Sequence, residues 1–317
     1  MDVGRRFFMV MLAFFKIIRW PNLAIIALVQ YLIRFFIIES LNVPHVLNHT
    51  YFFLGVLCSI TLAAAGYVIN DIYDVEADST NKPERMAIGN GLTLNGAWTI
   101  YGVLNVIAII SGYLVAGAAG FQSLWMLPVV AIALLYLYAI DLKKRVLLGN
   151  ILVSLLTALP VFLVALFDVL PAANTETAEL IQPIFYVISA YAGFAFYTNF
   201  IREIIKDAED VEGDDQEGYR TLAIIVGRNY IRYVITLLLI VLLCFTGTFN
   251  VYLFQSDVVS SAYLLLFVNI PILLTIFRVL TAKTKVDFKK ASILMKLIML
   301  TGIVSMVVFT LALKAQF

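Results

Sequence analysis

An acidic cluster that contains Asp71, Asp74 and Asp78 follows a long apolar stretch of the chain. On one continuous helix, these three carboxylates would lie within roughly 60° of one another and share a face. Like charges this close repel, so the cluster requires either protonation or neutralisation by a hard cation. Carboxylate oxygens suit Mg²⁺ that is bound together with substrate phosphates. The cluster therefore predicts a magnesium site, and the alternative is a solvated acidic helix end beside a membrane.

A second acidic segment follows the sixth apolar stretch of the chain. Its acids recur at helical spacing, at Glu203, Asp207, Asp210 and Asp214. On one continuous helix they would form a stripe roughly 16 Å long, with Arg202 and Lys206 interleaved. We expect the two acidic faces to lie opposite each other across a shared pocket. There they would bind one or two Mg²⁺ ions and a diphosphate, with the charge on the phosphate oxygens neutralised as a bond to carbon breaks.

Basic and amide side chains near these clusters are candidates for contacting the substrate. The candidates are Asn22, Asn70, Lys82, Arg85, Lys143, Asn150, Arg202 and Lys206. The basic members have a second interpretation, because lysine and arginine next to apolar segments also set the orientation of a membrane protein. Asn70 could orient ligands or could satisfy the backbone at the end of a helix.

The composition places both clusters in a membrane protein. Of the 317 residues, 62% are hydrophobic and 14% are charged, which is typical of a polytopic membrane protein. The net charge of +1 provides no field that would attract nucleic acid. Nine stretches reach the ~20 apolar residues that a span requires. They lie at about 21–41, 51–71, 96–118, 121–140, 147–168, 180–202, 229–250, 258–279 and 289–314, and residues 1–19 suit a helix at the membrane surface.

The basic residues predict the orientation of these spans. With the N-terminus inside the cell, 19 of the 22 lysines and arginines fall on the inner side, as the positive-inside rule requires. We therefore expect an integral protein of the cell (inner) membrane whose N-terminus and acidic segments are cytoplasmic. The predicted fold is an all-α, nine-helix bundle around a central cavity. It forms a single domain over residues 1–317, and loops 72–95 and 203–228 carry the acidic motifs.

The two acidic motifs together resemble a known family. Asn70-Asp71-x-x-Asp74-x-x-x-Asp78, followed by Asp210-x-x-x-Asp214-x-x-x-Gly218-x-x-Thr221-Leu222, is similar to the paired signature of UbiA-type intramembrane prenyltransferases. The resemblance covers nearly the whole chain, with the motifs after spans two and six. Trp20-Pro21-Asn22 resembles the Arg-Pro-x-Asn segment that opens span one in the family, with tryptophan in place of arginine. Whether Arg19 takes over that role is left open by the sequence.

The resemblance implies Mg²⁺-dependent transfer of a prenyl group from its diphosphate to an acceptor. It implies that Asp71, Asp74 and Asp78 hold one metal ion and Asp210 and Asp214 the other. With Asp207, these residues would form the catalytic site, while Lys82, Arg85 and Lys143 would contact the diphosphate. No obligate protein partner is evident in the sequence.

The segment around Arg202 and Lys206 is most similar to that of the digeranylgeranylglyceryl phosphate synthases. Those enzymes attach a second geranylgeranyl chain to a glycerol phosphate ether lipid, so geranylgeranylglyceryl phosphate is the expected acceptor. An aromatic acceptor, as in quinone, tocopherol or chlorophyll synthesis, is the alternative within the family. A cation-coupled transporter is a more distant alternative, which would place acids near the middle of spans rather than at their ends.

Overall fold

The computed structural model describes residues 3–76 and 86–315, except for the side chains of residues 3 and 5–7. Within these residues the chain is almost entirely helical, and no strand is present beyond one isolated bridge between Ile88 and Leu92. Nine helical segments of this part are long and apolar enough to cross a membrane, which confirms the predicted count. They are Trp20–Glu39, His49–Tyr73, Leu94–Ala118, Gln122–Ile140, Leu148–Ala172, Ala178–Glu209, Arg228–Ser256, Val258–Thr281 and Lys285–Lys314.

The α-helices are numbered in chain order. They are α1 (Val3–Ile17), α2 (Trp20–Leu32), α3 (His49–Tyr73), α4 (Leu94–Ala118), α5 (Leu127–Ile140), α6 (Leu148–Val164), α7 (Ala178–Glu209), α8 (Val211–Gln216), α9 (Leu222–Val226), α10 (Arg228–Ser256), α11 (Val258–Leu264), α12 (Ile270–Thr281) and α13 (Lys285–Lys314). Short π-helical segments follow α2, α6 and α11, at Ile33–Glu39, Ala165–Val169 and Leu265–Asn269.

Polar residues before the apolar runs fix where several long helices begin. The side chains of Asn48 and Thr93 accept hydrogen bonds from the first turns of α3 and α4. Thr284 and Asp287 form a reciprocal capping box at the start of α13. Each cap satisfies a backbone N–H that has no partner within the helix, so it stabilises one defined starting point.

The chain divides into two compact units. The first comprises Met1–Tyr31, Pro44–Lys143 and Pro160–Phe185. Inside it, α3 packs along α4 and α5, and a Cβ atom added at Gly66 would lie 2.7 Å from Leu135. A residue larger than glycine at this position would require the Leu135 side chain to shift. Ile17 of α1 packs with Val68 and Ile69 of α3, which anchors the N-terminal helix beside the first acidic motif.

The second unit comprises Leu32–Val43, Lys144–Leu159 and Tyr186–Phe317. Its core joins the last turns of α7 to α10, α12 and α13, and it includes Ile205 and Phe288. A Cβ atom at Gly302 of α13 would lie 2.5 Å from the ring of Phe194 on α7, so these two helices also meet closely at a glycine. The prediction of a single domain over residues 1–317 stays a prediction.

The helix boundaries correct two sequence predictions about the acidic faces. The helix α3 ends at Tyr73, and Asp74 leaves the α-helical conformation with φ −96° and ψ 5°. The described part of the first motif is therefore not one continuous helical face. The helix α7 runs on to Glu209, beyond the predicted end of span six at 202. At a rise of 1.5 Å per residue, its 32 residues span about 48 Å, longer than the ~30 Å hydrocarbon layer.

The predicted continuous stripe of the second motif was also wrong. The helix is interrupted between α7 and α8 at Asp210, which has φ −104° and ψ 17°. Acidic side chains at a helix C-terminus oppose the helix dipole, whereas they are favourable in a first turn. The break places Glu212 and Asp214 in the first turn of α8, which gives a physical reason for interrupting the helix there.

Candidate active site

The first motif holds Asp74 in a buried polar contact with Lys143. Lys143, between α5 and α6, forms an ion pair with Asp74 and donates to the Asn70 side-chain oxygen at 3.3 Å. The Asn70 amide in turn donates to the second Asp74 oxygen at 2.6 Å. The Lys143 side chain is only 9% exposed, so the three groups form a largely desolvated network in which ion pairing is stronger than in water. The predicted site residues Asn70, Asp74 and Lys143 are brought together.

Asp71 lies one turn away and has a different cation as its partner. The Arg19 guanidinium donates to Asp71 at 2.8 Å and lies over the ring of Tyr67, 4.7 Å from its centroid. The Asn22 amide donates to the Tyr67 hydroxyl at 3.1 Å. The predicted substrate residue Asn22 is thus joined to the motif through Tyr67, and the cation–π contact holds Arg19 in place.

The turn between α1 and α2 positions Arg19. Its backbone is left-handed, with φ 51°, a conformation that costs free energy in a non-glycine residue and persists only where surrounding contacts hold it. The Trp20 side chain is 56% exposed. In this turn, it is therefore Arg19 that contacts the first motif, through Asp71. An open cavity of about 560 Å³ borders Arg19, Lys16 and Trp20.

Three predicted residues of this region lie outside the described residues: Asp78, Lys82 and Arg85. Protonation or a hard cation was expected to relieve repulsion between the acids. The structure shows a further way, because Arg19 and Lys143 each neutralise one carboxylate. These pairings could not be recognised from sequence, since the partners are separated by 52 and 69 residues.

In the second unit, Asp207 lies on α7 and accepts a hydrogen bond from Asn150 on α6. The Nδ2···Oδ2 distance is 2.9 Å. The backbone oxygen of Asn150 accepts from Ser154, whose hydroxyl accepts from the buried Asn199 at 3.3 Å. The predicted site residues Asn150 and Asp207 are thus brought together by a direct hydrogen bond between two helices.

Glu203 is the partner of both predicted basic residues on α7. Arg202 donates to it at 3.0 Å, and Lys206 donates to both of its carboxylate oxygens at 2.9 Å. Glu203 is only 14% exposed. The sequence analysis placed this carboxylate in the acidic stripe but assigned it no partner.

Asp210 and Glu212 are paired with cations that sequence analysis did not assign to the site. Lys285, at the start of α13, donates to Asp210 at 2.7 Å. Arg228, at the start of α10, donates to Glu212 at 2.6 Å. This hydrogen bond lowers the pKa of Glu212 below its ordinary value. The sequence predicts Lys285 and Arg228 only as basic residues that set orientation. Lys285 is 75 residues from Asp210, so no local signal connects it with the motif. Asp214 follows in α8, where its N–H donates to the Asp210 carbonyl.

The donor set fits Mg²⁺ better than a transition metal. The motif side chains are carboxylates, which are the hard oxygen ligands that Mg²⁺ prefers. Among the described residues, no three His, Cys, Asp or Glu side chains lie close enough to hold a metal ion by themselves. Mg²⁺ is typically held by one or two carboxylates together with water and substrate phosphates, so a complete protein cage is not required.

Comparison with known proteins decides which family this arrangement belongs to. The sequence pattern of the UbiA prenyltransferase family matches residues 9–310. The chain belongs to the UbiA prenyltransferase family. It is accordingly a prenyltransferase and an integral membrane protein, as the sequence predicted. The digeranylgeranylglyceryl phosphate synthase of Sulfolobus acidocaldarius is 32% identical over 264 residues, which cover 82% of this chain and 85% of that protein.

Solved structures of UbiA proteins share the fold. A structure described as giving insights into digeranylgeranylglyceryl phosphate synthase in membranes matches with a TM-score of 0.64 and 24% identity, covering 94% of this chain and 99% of that one. A UbiA homologue from Archaeoglobus fulgidus, bound to GPP and Mg²⁺, matches with a TM-score of 0.55 and 14% identity, covering 93% and 99%. At these identities, the likeness confirms the predicted all-α fold.

Proposed function

We propose that this UbiA prenyltransferase transfers a geranylgeranyl group from its diphosphate to geranylgeranylglyceryl phosphate, with Mg²⁺ as cofactor. The observation that carries the proposal is the pairing of Asp71 with Arg19 and of Asp74 with Lys143. It places two carboxylates and two cations of one motif together, and a metal-bound diphosphate needs both kinds of group. The 32% identity to a digeranylgeranylglyceryl phosphate synthase supports the choice of donor and acceptor.

The cations of the first motif have two successive roles. Without substrate, Lys143 and Arg19 offset the negative charge of Asp74 and Asp71 and so reduce the repulsion between these two carboxylates. When the diphosphate binds, the same cations move to its non-bridging oxygens. There they stabilise the negative charge that develops as the bond between C1 of the prenyl group and the diphosphate oxygen breaks.

Carboxylates released from these ion pairs would be available as ligands for the metal. Asp71 and Asp74 would hold Mg²⁺ together with Asp78, and Asp210 and Asp214 would supply carboxylates for a second ion. When bound, Mg²⁺ neutralises the leaving diphosphate. The acceptor hydroxyl oxygen forms the new bond to C1, its proton is released, and the electron pair of the broken bond leaves with the diphosphate.

The distribution of basic residues supports a cytoplasmic location for the N-terminus and both motifs, since 19 of 22 lie on that side of the nine spans. The membrane itself would be the cell (inner) membrane. Accessibility of single cysteines introduced at Lys144 and Glu176, tested with a membrane-impermeant thiol reagent, checks this orientation. Labelling of the Lys144 variant in intact cells, with protection of the Glu176 variant, would contradict it.

The experiment that tests the function uses purified protein with geranylgeranyl diphosphate, Mg²⁺ and a panel of acceptors. We expect diphosphate release only with geranylgeranylglyceryl phosphate, and not with 4-hydroxybenzoate or dihydroxynaphthoate. The variants Asp71→Asn and Asp210→Asn should lose turnover by about 100-fold or more while retaining their helical circular dichroism. A preference for an aromatic acid would contradict the acceptor, and full turnover in both variants would contradict the metal ligands.

A further inference from the structure

Lys296 is a charged residue within the ninth apolar helix. It lies three turns from the start of α13, between Met295 and Leu297, and Met295 and Ile298 beside it are fully buried. A charged side chain within a membrane span costs free energy, and such residues generally face partners or a polar cavity. Lys296 is one of the three basic residues that lie outside the predicted inner segments, so orientation of the spans does not account for it.

The packing of α13 on α7 determines what Lys296 faces. Phe194 contacts Gly302, and the Tyr191 hydroxyl is 2.9 Å from that of Ser305. From the Tyr191 contact to the Phe194 contact, the position advances by three residues along α7 and goes back by three residues along α13. The two helices therefore run antiparallel in a fixed register. When this register is continued by two turns, Lys296 lies at the same height along the helix axes as Phe200 and the residues that follow it.

Those residues carry further charges. Arg202, Lys206 and Glu203 all act electrostatically on Lys296. The three cations Arg202, Lys206 and Lys296 therefore share the carboxylate of Glu203. Two of them, Arg202 and Lys206, already donate hydrogen bonds to it. Asp207 lies within electrostatic range of Asp214, Glu203 and Lys206, so carboxylates of the second motif lie close to these cations.

Arg202 has unused hydrogen-bonding capacity in this cluster. Its side chain is 15% exposed, and its Nε is buried without a hydrogen-bond partner. A buried guanidinium N–H without an acceptor is costly, so an anion that accepts a hydrogen bond from it would gain binding free energy. The planar guanidinium matches the oxygens of a phosphate in geometry and charge.

We infer that Arg202, Lys206 and Lys296 form the binding site for the phosphate monoester of the acceptor lipid. This inference rests on the proposed function, which supplies an acceptor that carries a phosphate. The donor diphosphate has its own cations in Arg19 and Lys143, whereas the phosphate of the acceptor has none in the first motif. A site on two apolar helices also suits an anionic group that is attached to a lipid chain. An aromatic carboxylic acid would carry a single charge and would engage fewer of these cations.

The test is a comparison of Michaelis constants in the variant Lys296→Met, which keeps the length of the side chain and removes its charge. We expect the KM for geranylgeranylglyceryl phosphate to rise about tenfold or more, with the KM for geranylgeranyl diphosphate unchanged. Lys290→Met is the matched control, since Lys290 is exposed on another face of the same helix. Its two KM values should equal those of the wild type.

A second arm uses geranylgeranylglycerol, which lacks the phosphate. If Lys296 binds that phosphate, removing the phosphate and removing the lysine charge should be strongly non-additive. A wild-type KM for the acceptor in Lys296→Met would overturn the inference. A rise confined to the donor KM would also overturn it, by showing that the cluster binds the diphosphate. Absence of wild-type turnover with geranylgeranylglyceryl phosphate would instead show that the proposed function is wrong.

Discussion

The two acidic motifs are balanced by cations of different origin. In the first motif, Asp71 and Asp74 are paired with Arg19 and Lys143, which are 52 and 69 residues away in sequence. In the second motif, Glu203 is paired with its own helix neighbours Arg202 and Lys206, while Asp210 and Glu212 are paired with the more distant Lys285 and Arg228.

Burial differs between two of the lysines that pair with these acids. The Lys143 side chain is 9% exposed, whereas that of Lys285, which pairs with Asp210, is 54% exposed. Pairing in a desolvated site is strong and fixes geometry, while an exposed pair contributes little. The first motif therefore depends on tertiary structure for its charge balance, and the second is balanced partly by local sequence.

The largest expected effect distinguishes the two lysines. Lys143→Met should lower kcat by roughly 100- to 1000-fold, because it removes a buried cation that stabilises the leaving diphosphate. Lys285→Met is the matched variant on the second motif, and we expect less than about a fivefold loss, since an exposed pair contributes little. Steady-state diphosphate release measures both. Equal losses in the two variants would remove the distinction between the motifs.

A smaller effect is expected at the α1–α2 turn. Arg19→Ala should reduce kcat/KM for the donor by about tenfold to 100-fold, as expected for loss of one charge-assisted hydrogen bond. The double variant Arg19→Ala with Trp20→Arg places arginine where the family pattern has it. Recovery of kcat/KM would show that Arg19 substitutes for the family arginine. If the double variant is no better than Arg19→Ala, the two positions are not equivalent.

The Asn150–Asp207 contact is expected to have a moderate effect. Asn150→Ala removes the hydrogen bond to a partly buried carboxylate, and we expect it to lower the thermal midpoint in detergent by a few degrees. Asn150→Asp would place two acids together and should lower the midpoint further. An Asn150→Asp variant more stable than Asn150→Ala would contradict this interpretation of the contact.

The smallest effect is expected at the exposed pair of the second motif. Glu212→Gln should destabilise the protein by less than about 1 kcal/mol, because Glu212 is 62% exposed and solvent screens the pair. Arg228 lowers the pKa of Glu212. The contribution of the pair is therefore present above the ordinary pKa of glutamate and is lost as the pH falls through the lowered value. Thermal midpoints of wild type and variant should converge once the pH falls below that lowered pKa. A difference that grows on acidification would contradict this sign.

The sequence predicted the nine spans because each is a long apolar run, and the membrane imposes a simple length requirement on such runs. It also named Asn70, Lys143, Asn150 and Asp207 as site residues, and their assignment to a site stays a prediction. It did not predict the break at Asp210, because spacing alone assumes a continuous helix. Nor did it assign Arg19, Lys285 or Arg228 to particular acids, since tertiary packing brings those partners together over long sequence separations.

The central claim is that Asp71 and Asp74 exchange Arg19 and Lys143 for a metal-bound diphosphate. A structure of the protein with Mg²⁺ and a non-hydrolysable analogue of geranylgeranyl diphosphate tests it most directly. We predict carboxylate oxygens of the first motif at about 2.0–2.1 Å from Mg²⁺, with Lys143 and Arg19 on the phosphate oxygens. A bound analogue that leaves the Arg19–Asp71 and Lys143–Asp74 pairs intact would contradict the claim.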